Sequence, residues 1–222
     1  MAYYNPNASG LDASFTENVQ PINVPAVNRY FTPKGIEYNA TPITGNNGIH
    51  SRAAHIEYVP LVVDTAITVD RIGLGYMANN STASTWYYDL GLYEGSVAEE
   101  YPATKLTDFG TITIAPGTST GAQLITISQA LDANKLYFLA IGIRWDNSTD
   151  FLAGKSPFLQ LSQGNFAMFA KRGISGATSS GAGMAWMEQL TTYAGTLPST
   201  TNYATNAAIV SVSPRLALRR SA

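Results

Sequence analysis

The chain has 222 residues, 45% of them hydrophobic and 13% charged, with a formal net charge of −2 at pH 7. Soluble domains carry on average about a quarter charged residues, so much of this surface must consist of Ser, Thr, Asn, Gly and Tyr. The small negative charge argues against nucleic-acid binding, which needs a concentrated basic surface, and a cysteine count of zero excludes disulfides, thiolate catalysis and cysteine-ligated zinc.

Residues 1–48 are rich in Asn and Pro. The prolines are spaced too closely for a helix and occur too often for a central strand, so we predict an extended arm and connector that lies along a neighbouring protein or over its own domain. The opening MAYYNPNASG lacks the basic and apolar regions of a secretory signal, and no apolar run reaches the ~20 residues that cross a bilayer. The sequence therefore predicts a protein made in a cytoplasm, without insertion into a membrane.

Residues 49–222 are predicted to form a single all-β domain. From residue 58 onward, apolar or alternating segments are separated by Gly, Asn, Asp and Pro at intervals of about ten residues, which is typical of a β-sandwich or barrel. In WYYDLGLY, residues 86–93, a period of two places Trp86 and Tyr88 on one face and Asp89 on the other. LYFLAIGI, residues 136–143, is apolar on both faces and is predicted to be a central strand covered on both sides.

Three segments depart from this pattern of strands. QALDANK, residues 129–135, resembles a helical turn, and GMAWMEQLTTY, residues 183–193, is predicted to hold either a short helix or a strand. GISGATSSGAG, residues 173–183, consists almost entirely of Gly, Ser and Ala and is predicted to be a flexible loop. We expect the chain after this loop to return to the same sandwich.

A glycine pattern in the segment RIGLGYMANN formally fits the dinucleotide-binding motif G-x-G-x-x-A. Its positions are Gly73, Gly75 and Ala78, but Asn, Asn, Ser and Thr follow where a helix N-terminus would have to hold the pyrophosphate. We therefore interpret the glycines as positions at which another backbone or a large ring, with Trp86 as a candidate, packs closely over a strand.

No constellation for catalysis or metal binding is predicted, and we expect no cofactor. The spacing of His50 and His55 aligns them on neither a strand nor a helix, and with Glu57 they are interpreted as a polar connector. Neither is anchored as the base for a serine nucleophile. A pair of carboxylates arranged as in a glycosidase remains an open alternative, although Asp at a strand end most often forms a turn. The acidic residues near predicted strand ends are Asp89, Glu94, Asp108, Asp146 and Asp150.

Aromatic residues beside turns offer a candidate ligand site. Aromatic rings next to Asp or Asn bind sugars through the apolar face of the ring and the hydroxyl edge of the sugar. Core packing or a subunit contact explains the same rings without a ligand. The candidate glycan-binding residues are Trp145, Asp146, Trp186 and Tyr193.

The arginines of the C-terminal segment are the local exception to the sparse charge. Arg215, Arg219 and Arg220 cluster in RLALRR. We interpret them as a solvated or partner-facing chain end rather than a nucleic-acid contact.

The order of segments resembles the β-sandwich module of tailed-phage virion proteins, especially tail-fibre and receptor-binding proteins. The resemblance covers residues 29–218 and rests on RYF, YVPLVVDTAITVDRIGLGY, YYDLGLYE, LTDFGTITI, GAQLITISQALDANKLYFLAIG and SPRLALR. It implies a jelly-roll-like sandwich, often trimeric, presented on a virion, and it supplies no catalytic residues. Because only about 28 residues precede the module, we expect a freestanding subunit docked by its arm to a tail or capsid surface.

The resemblance predicts a non-enzymatic structural protein on the surface of a bacteriophage virion, made in the host cytoplasm. As a tail-fibre-type attachment protein it would bind a host surface glycan through loop aromatics and carboxylates. As a capsid decoration or cement protein it would bind the major capsid protein through the arm and the sandwich edges. The expected partners are other virion proteins, through the arm, and further copies of the chain in a homotrimer.

Overall fold

The described residues of the chain form strands, turns and bends, and no helix. The structure is a computed structural model. It describes residues 24, 26–31, 55–75, 77–78, 84–96, 101–117, 119–120, 123–146, 158–159, 161–163, 185–189, 193–201, 207–210, 212–214 and 216–222. Over these ranges the fold is all-β, as predicted from the sequence.

Six antiparallel strands form the larger sheet, sheet A. From one edge to the other they are β13 (Ala207–Val210), β12 (Ala185–Gln189), β2 (His55–Leu61), β9 (Tyr137–Trp145), β5 (Trp86–Ser96) and β6 (Tyr101–Ile114). β9 lies inside the sheet, and its residues 137–143 are all buried. The apolar faces of this segment therefore predicted its position correctly.

Four antiparallel strands form the second main sheet, sheet B. In order they are β1 (Tyr30–Phe31), β15 (Leu216–Arg220), β3 (Ile67–Leu74) and β8 (Gln123–Leu131). The C-terminal segment is thus an inner strand, because Leu218 pairs with Phe31 on one side and with Ile72 on the other. The expectation that the chain after the Gly/Ser loop returns to the sandwich is therefore confirmed for this strand. The arginines were interpreted as a solvated or partner-facing chain end, but the buried side chains of Leu216 and Leu218 hold the strand against the core.

Two small antiparallel sheets complete the described strands. One contains β10 (Phe158–Leu159), β4 (Met77–Ala78) and β7 (Ser119–Thr120), and the other contains β11 (Leu161–Gln163) and β14 (Val212–Pro214). Their strands are two or three residues long.

The two main sheets pack face to face around one hydrophobic core, which makes the fold a β-sandwich. Alternate residues of each strand point inward, as the pleat of a β-strand requires. Trp86 and Tyr88, which the period of two placed on one face, enter this core from β5, and Ile72 and Leu74 enter it from β3. The opposite face of each sheet is called its outer face below.

Three local predictions have a definite outcome. Residues 132–136 form a turn in which Asn134 has a φ of 57°, a left-handed conformation that Asn tolerates, so the predicted helical turn is wrong. The segment that was open between helix and strand contains the strand β12. A side chain at Gly73 would collide with the backbone carbonyl of Gln123, so the close approach is made by the neighbouring strand and not by Trp86.

Part of the predicted arm lies against the sandwich. The backbone N–H of Asn28 donates to the carbonyl of Arg220 (2.9 Å), and β1 pairs with β15. Apart from Val24 and residues 26–31, the predicted arm lies outside the described residues, and so does His50. The boundary at residue 48 stays a prediction.

Candidate functional site

The outer face of sheet A is crossed by residues 193–201, a segment that we call the strap. Near its end the strap runs beside the edge strand β6, where the N–H of Lys105 donates to the carbonyl of Ser199 (2.8 Å) and the N–H of Thr201 donates to the carbonyl of Ala103 (3.1 Å). Lys105 also reaches the Leu197 carbonyl with its Nζ atom (2.7 Å). The strap therefore covers both the outer face and the first part of this edge.

The strap is fastened to the sheet by a buried carboxylate. Asp89, in the middle of β5, is 5% exposed, and its Oδ2 atom accepts hydrogen bonds from Tyr193 Oη (2.9 Å) and from Arg144 Nε (3.0 Å). Its Oδ1 atom accepts from the Thr111 hydroxyl. Burial, together with the adjacent Asp89 carboxylate, raises the pKa of Tyr193 well above its ordinary value, so this hydroxyl stays protonated and acts as a donor.

Small residues let the strap approach the sheet. A Cβ atom at Gly142 would collide with the Tyr193 ring and hydroxyl, and one at Gly195 would collide with the guanidinium of Arg144. Gly195 also has a φ of 99°, a conformation that residues with a Cβ atom rarely adopt. Arg144 in turn lies over the ring of Tyr87, 4.1 Å from its centroid, which holds the guanidinium in place.

Trp145 is the last residue of β9, and Asp146 follows it. The Trp145 ring packs against the fully buried ring of Trp86, with centroids 5.1 Å apart. Asp146 accepts the N–H of Thr85 at its Oδ1 atom (2.8 Å) and donates its own N–H to the Thr85 carbonyl (3.3 Å). Both residues therefore make contacts that hold the end of the sandwich together, and both also lie near its surface.

The four predicted glycan-binding residues do not form one cluster. Trp186 lies in β12 opposite Tyr58, which in turn pairs with Ala140. Trp145 is five residues further along β9 than Ala140, which corresponds to about 16 Å at the usual rise per residue. Tyr193 lies on the outer face of sheet A with its hydroxyl bound to Asp89. The fold brings together only Trp145 and Asp146, which are adjacent in sequence, and the glycan site stays a prediction.

The acidic residues that left a glycosidase-like pair open have individual partners. Asp89 lies in the middle of its strand, not at an end. In the described part of the chain each of these acids contacts a cation or a backbone donor, and Asp150 lies outside it. The contacts join Asp89 to Arg144, Glu94 to Lys135 (2.8 Å), Asp108 to Lys105 (2.8 Å), and Asp146 to the Thr85 N–H.

His55 and Glu57 lie in β2 and are fully buried, so their interpretation as a polar connector is wrong. Their side chains are joined by a contact of 3.1 Å between His55 Nε2 and Glu57 Oε1. Both share the inward face with Val59. Burial and the nearby Glu57 charge raise the pKa of Tyr88 well above its ordinary value. Among the described residues, no three His, Asp or Glu side chains are grouped to hold a metal ion.

Sheet B has an ion pair of its own on its outer face. The carboxylate of Asp70 accepts two hydrogen bonds from Arg219, Nε to Oδ1 (2.8 Å) and Nη2 to Oδ2 (2.6 Å). This bidentate pairing, and to a smaller extent the charge of Arg71, holds the pKa of Asp70 below its ordinary value. The same pairing raises the pKa of Arg219. Arg71 donates its Nη1 to the Asp70 backbone carbonyl (2.8 Å).

Sequence reasoning missed the Asp89 network and the buried pair in β2, although a signal for each was present. Asp89 shares one face of its strand with tyrosines and a glycine. A lone acid on that face needs hydrogen-bond donors if the face is covered. His55 and Glu57 are two positions apart at the start of an apolar strand, which places both on one face. The covering strap, about a hundred residues distant in sequence, could not be inferred from either signal.

Comparison with models of protein families, with curated proteins and with solved structures gave no match for this chain. In the described ranges, the structure contains no helix of the length and apolar character needed to cross a membrane.

Proposed function

We propose that this chain is a non-enzymatic structural protein on the surface of a bacteriophage virion, acting in tail-fibre-type attachment to the host. The observation that carries the proposal is where the titratable groups of the sandwich lie. Asp89 is buried and receives three donors, and His55 bonds Glu57 in the interior. Groups with such partners stabilise the fold. We therefore expect the surface of the sandwich, rather than a site in its interior, to carry the function.

The composition of that exterior supports contact with another large molecule. The exposed positions of β8 alternate with half-buried ones and carry Leu124, Thr126, Ser128 and Ala130. Such a surface, poor in charge and rich in hydroxyl groups, suits contacts with glycan or protein. The resemblance of residues 29–218 to tailed-phage sandwich modules supports the virion location and the homotrimer, which are part of this proposal.

A capsid decoration or cement role is the second candidate. It is favoured by the way the N-terminal segment joins sheet B. The N–H of Val24 donates to Asp64 (3.4 Å) and β1 pairs with β15, so the described end of this segment is anchored beside sheet B. In this second candidate role, the N-terminal segment would dock to a neighbouring capsid subunit.

The location of the chain on particles tests both roles. Antibodies raised against the full chain would be applied to phage particles and viewed by electron microscopy. Label at the tail tip is the result expected for attachment, and label over the shell would establish decoration instead. Intact particles of the producing phage without label would refute the virion assignment.

The role of the N-terminal segment is tested by deleting residues 1–23, which spares the contacts of Val24 and Asn28. We expect a folded protein that no longer enters particles. Incorporation equal to that of the intact chain would exclude this segment as the anchor.

The predicted glycan-binding residues need variants that separate binding from folding. Because Trp145 packs against buried Trp86, Trp145→Phe, which keeps a ring there, is preferable to Trp145→Ala. Weaker binding to host cells by Trp145→Phe and Trp186→Ala, with an unchanged melting temperature, is expected if these rings contact the receptor. Unchanged cell binding by both variants would remove these two rings from the receptor contact.

A further inference from the structure

We propose that the outer face of sheet B binds a saccharide bearing carboxylate groups, and that the guanidinium of Arg71 receives the carboxylate. The inference deepens the proposed attachment function, on which its biological use rests. The surface is a row of cross-strand neighbours that spans the whole sheet, each opposite the next in the register. This cationic row consists of Tyr30, Arg219, Arg71 and Thr126.

All four side chains of the cationic row belong to the outer face. Each member of the row is adjacent in sequence to a residue that points into the interior, and Phe31, Leu218 and Ile72 are examples. Successive residues of a strand point to opposite faces, so the members of the row point outward. Tyr30 is 44% exposed, and Thr126 is also exposed. The row is therefore accessible at both of its ends.

Within the part of the chain that the structure describes, one positive charge of the row has no ion pair of its own. Like charges directly opposite each other on neighbouring strands are destabilising, yet Arg71 faces Arg219 in the register. Asp70 compensates Arg219, which occupies both of its carboxylate oxygens. Arg71 bonds only the backbone carbonyl of Asp70, and in the described ranges it has no ion pair.

A β-bulge arranges this charge. The pairing of β3 shifts register near Asp70 against both of its neighbours, β15 and β8. Val69 and Ile72 point into the core, so Asp70 and Arg71, which lie between them, both leave on the outer face. Bulges of this kind re-aim side chains and are common beside binding sites.

The chemistry of the row suits an acidic sugar. A guanidinium matches a carboxylate with two parallel hydrogen bonds, and the exposed Tyr30 ring offers an apolar face to a sugar ring. Thr126 adds a hydroxyl for the hydroxyl groups of the sugar. Three strand spacings separate Tyr30 from Thr126, about 14 Å, which accommodates a short oligosaccharide. An acidic peptide would meet the charge but would leave the ring and hydroxyl without a specific role.

Calorimetric titration of the full chain with oligogalacturonate and with sialyllactose tests the proposal. The methyl ester of oligogalacturonate is the matched neutral control, and polyglutamate of similar length represents an acidic peptide. We expect binding of at least one acidic saccharide that weakens with added salt, and little binding of the ester. Absence of binding to both saccharides, or equally tight binding of the ester or of polyglutamate, would overturn the proposal.

Variants assign the binding to the row. Arg71→Gln is expected to weaken it by about tenfold or more, the effect of losing a charge-assisted hydrogen bond. Thr126→Glu, at an exposed position, places a carboxylate beside Arg71 and should compete with the ligand without disturbing the core. Lys135→Gln removes one positive charge from another part of the protein, where Lys135 pairs with Glu94, and should leave binding unchanged.

Retention of full affinity by folded Thr126→Glu and Arg71→Gln would contradict the assignment. An equal loss in Lys135→Gln would do the same, because it would show a response to net charge alone. Binding that requires Arg71 while antibodies fail to label particles would keep the saccharide site and remove the attachment function, so the two proposals fail separately.

Discussion

The Tyr193 hydroxyl donates a hydrogen bond to the buried carboxylate of Asp89, which lies 104 residues earlier in the chain. This bond joins the strap to β5 of sheet A, and Arg144 donates to the same oxygen from the adjacent strand β9. The contact explains why an acid is tolerated in the middle of a covered strand, since a buried carboxylate is costly unless donors surround it.

Tyr193→Phe removes only the hydroxyl from this contact. We expect the free energy of unfolding to fall by about 1 to 3 kcal/mol, as for loss of a buried hydrogen bond to a carboxylate. Denaturant titration measures the change. Tyr87→Phe is the matched control, because the ring of Tyr87 lies under Arg144 and its own change should stay within about 0.5 kcal/mol. Equal losses of stability in Tyr193→Phe and Tyr87→Phe would show that the hydrogen bond to Asp89 makes no specific contribution.

Gly142→Ala should loosen the strap, because the added methyl group would occupy the position of the Tyr193 hydroxyl. We expect a lower melting temperature and faster proteolytic cleavage within residues 193–201. In a Tyr193→Ala background the same glycine change should cost less, since the colliding group is gone. If the two changes lower the stability additively in the double variant, the cost of Gly142→Ala does not come from a collision with the Tyr193 side chain.

His55→Leu should destabilise the protein more than replacement of both members of the buried pair. The single change leaves Glu57 buried without its partner, at a cost of about 3–5 kcal/mol, whereas replacing both members of such a buried pair by apolar residues is often neutral or stabilising. The comparison is His55→Leu against His55→Leu/Glu57→Leu in thermal and denaturant unfolding. A double variant less stable than the single one would contradict this account.

The Asp70–Arg219 pair should make stability dependent on acid pH. The pKa of Asp70 is below its ordinary 3.8 in the folded protein, chiefly through the Arg219 hydrogen bond, so folding favours the ionised form. The contribution is therefore complete above about pH 5 and lost as the pH falls through the folded value. The melting temperature of the wild type should exceed that of Asp70→Asn at pH 7, and the difference should shrink below pH 4. A difference that does not change with pH would argue against the ion pair.

The sequence was sufficient to predict the class of fold and the faces of several strands. Residues 86–93 alternate, so the residues that share a face were predicted from the pleat alone, and the apolar run at 136–143 correctly indicated an inner strand. These are local properties: a period of two or an apolar run records which sides of one segment are covered. The same local evidence failed for Asn134, where a turn and a helical turn have similar composition.

Only the tertiary structure showed which segments cover which faces. The strap over Asp89, the inner position of the C-terminal strand and the row from Tyr30 to Thr126 all join residues distant in the chain. Such pairings depend on the order of strands in a sheet and on the path of the connections, and the periodicity of one segment carries no information about its neighbour. The sequence by itself determined that this chain forms a sandwich, and long-range pairing decided where its charges meet.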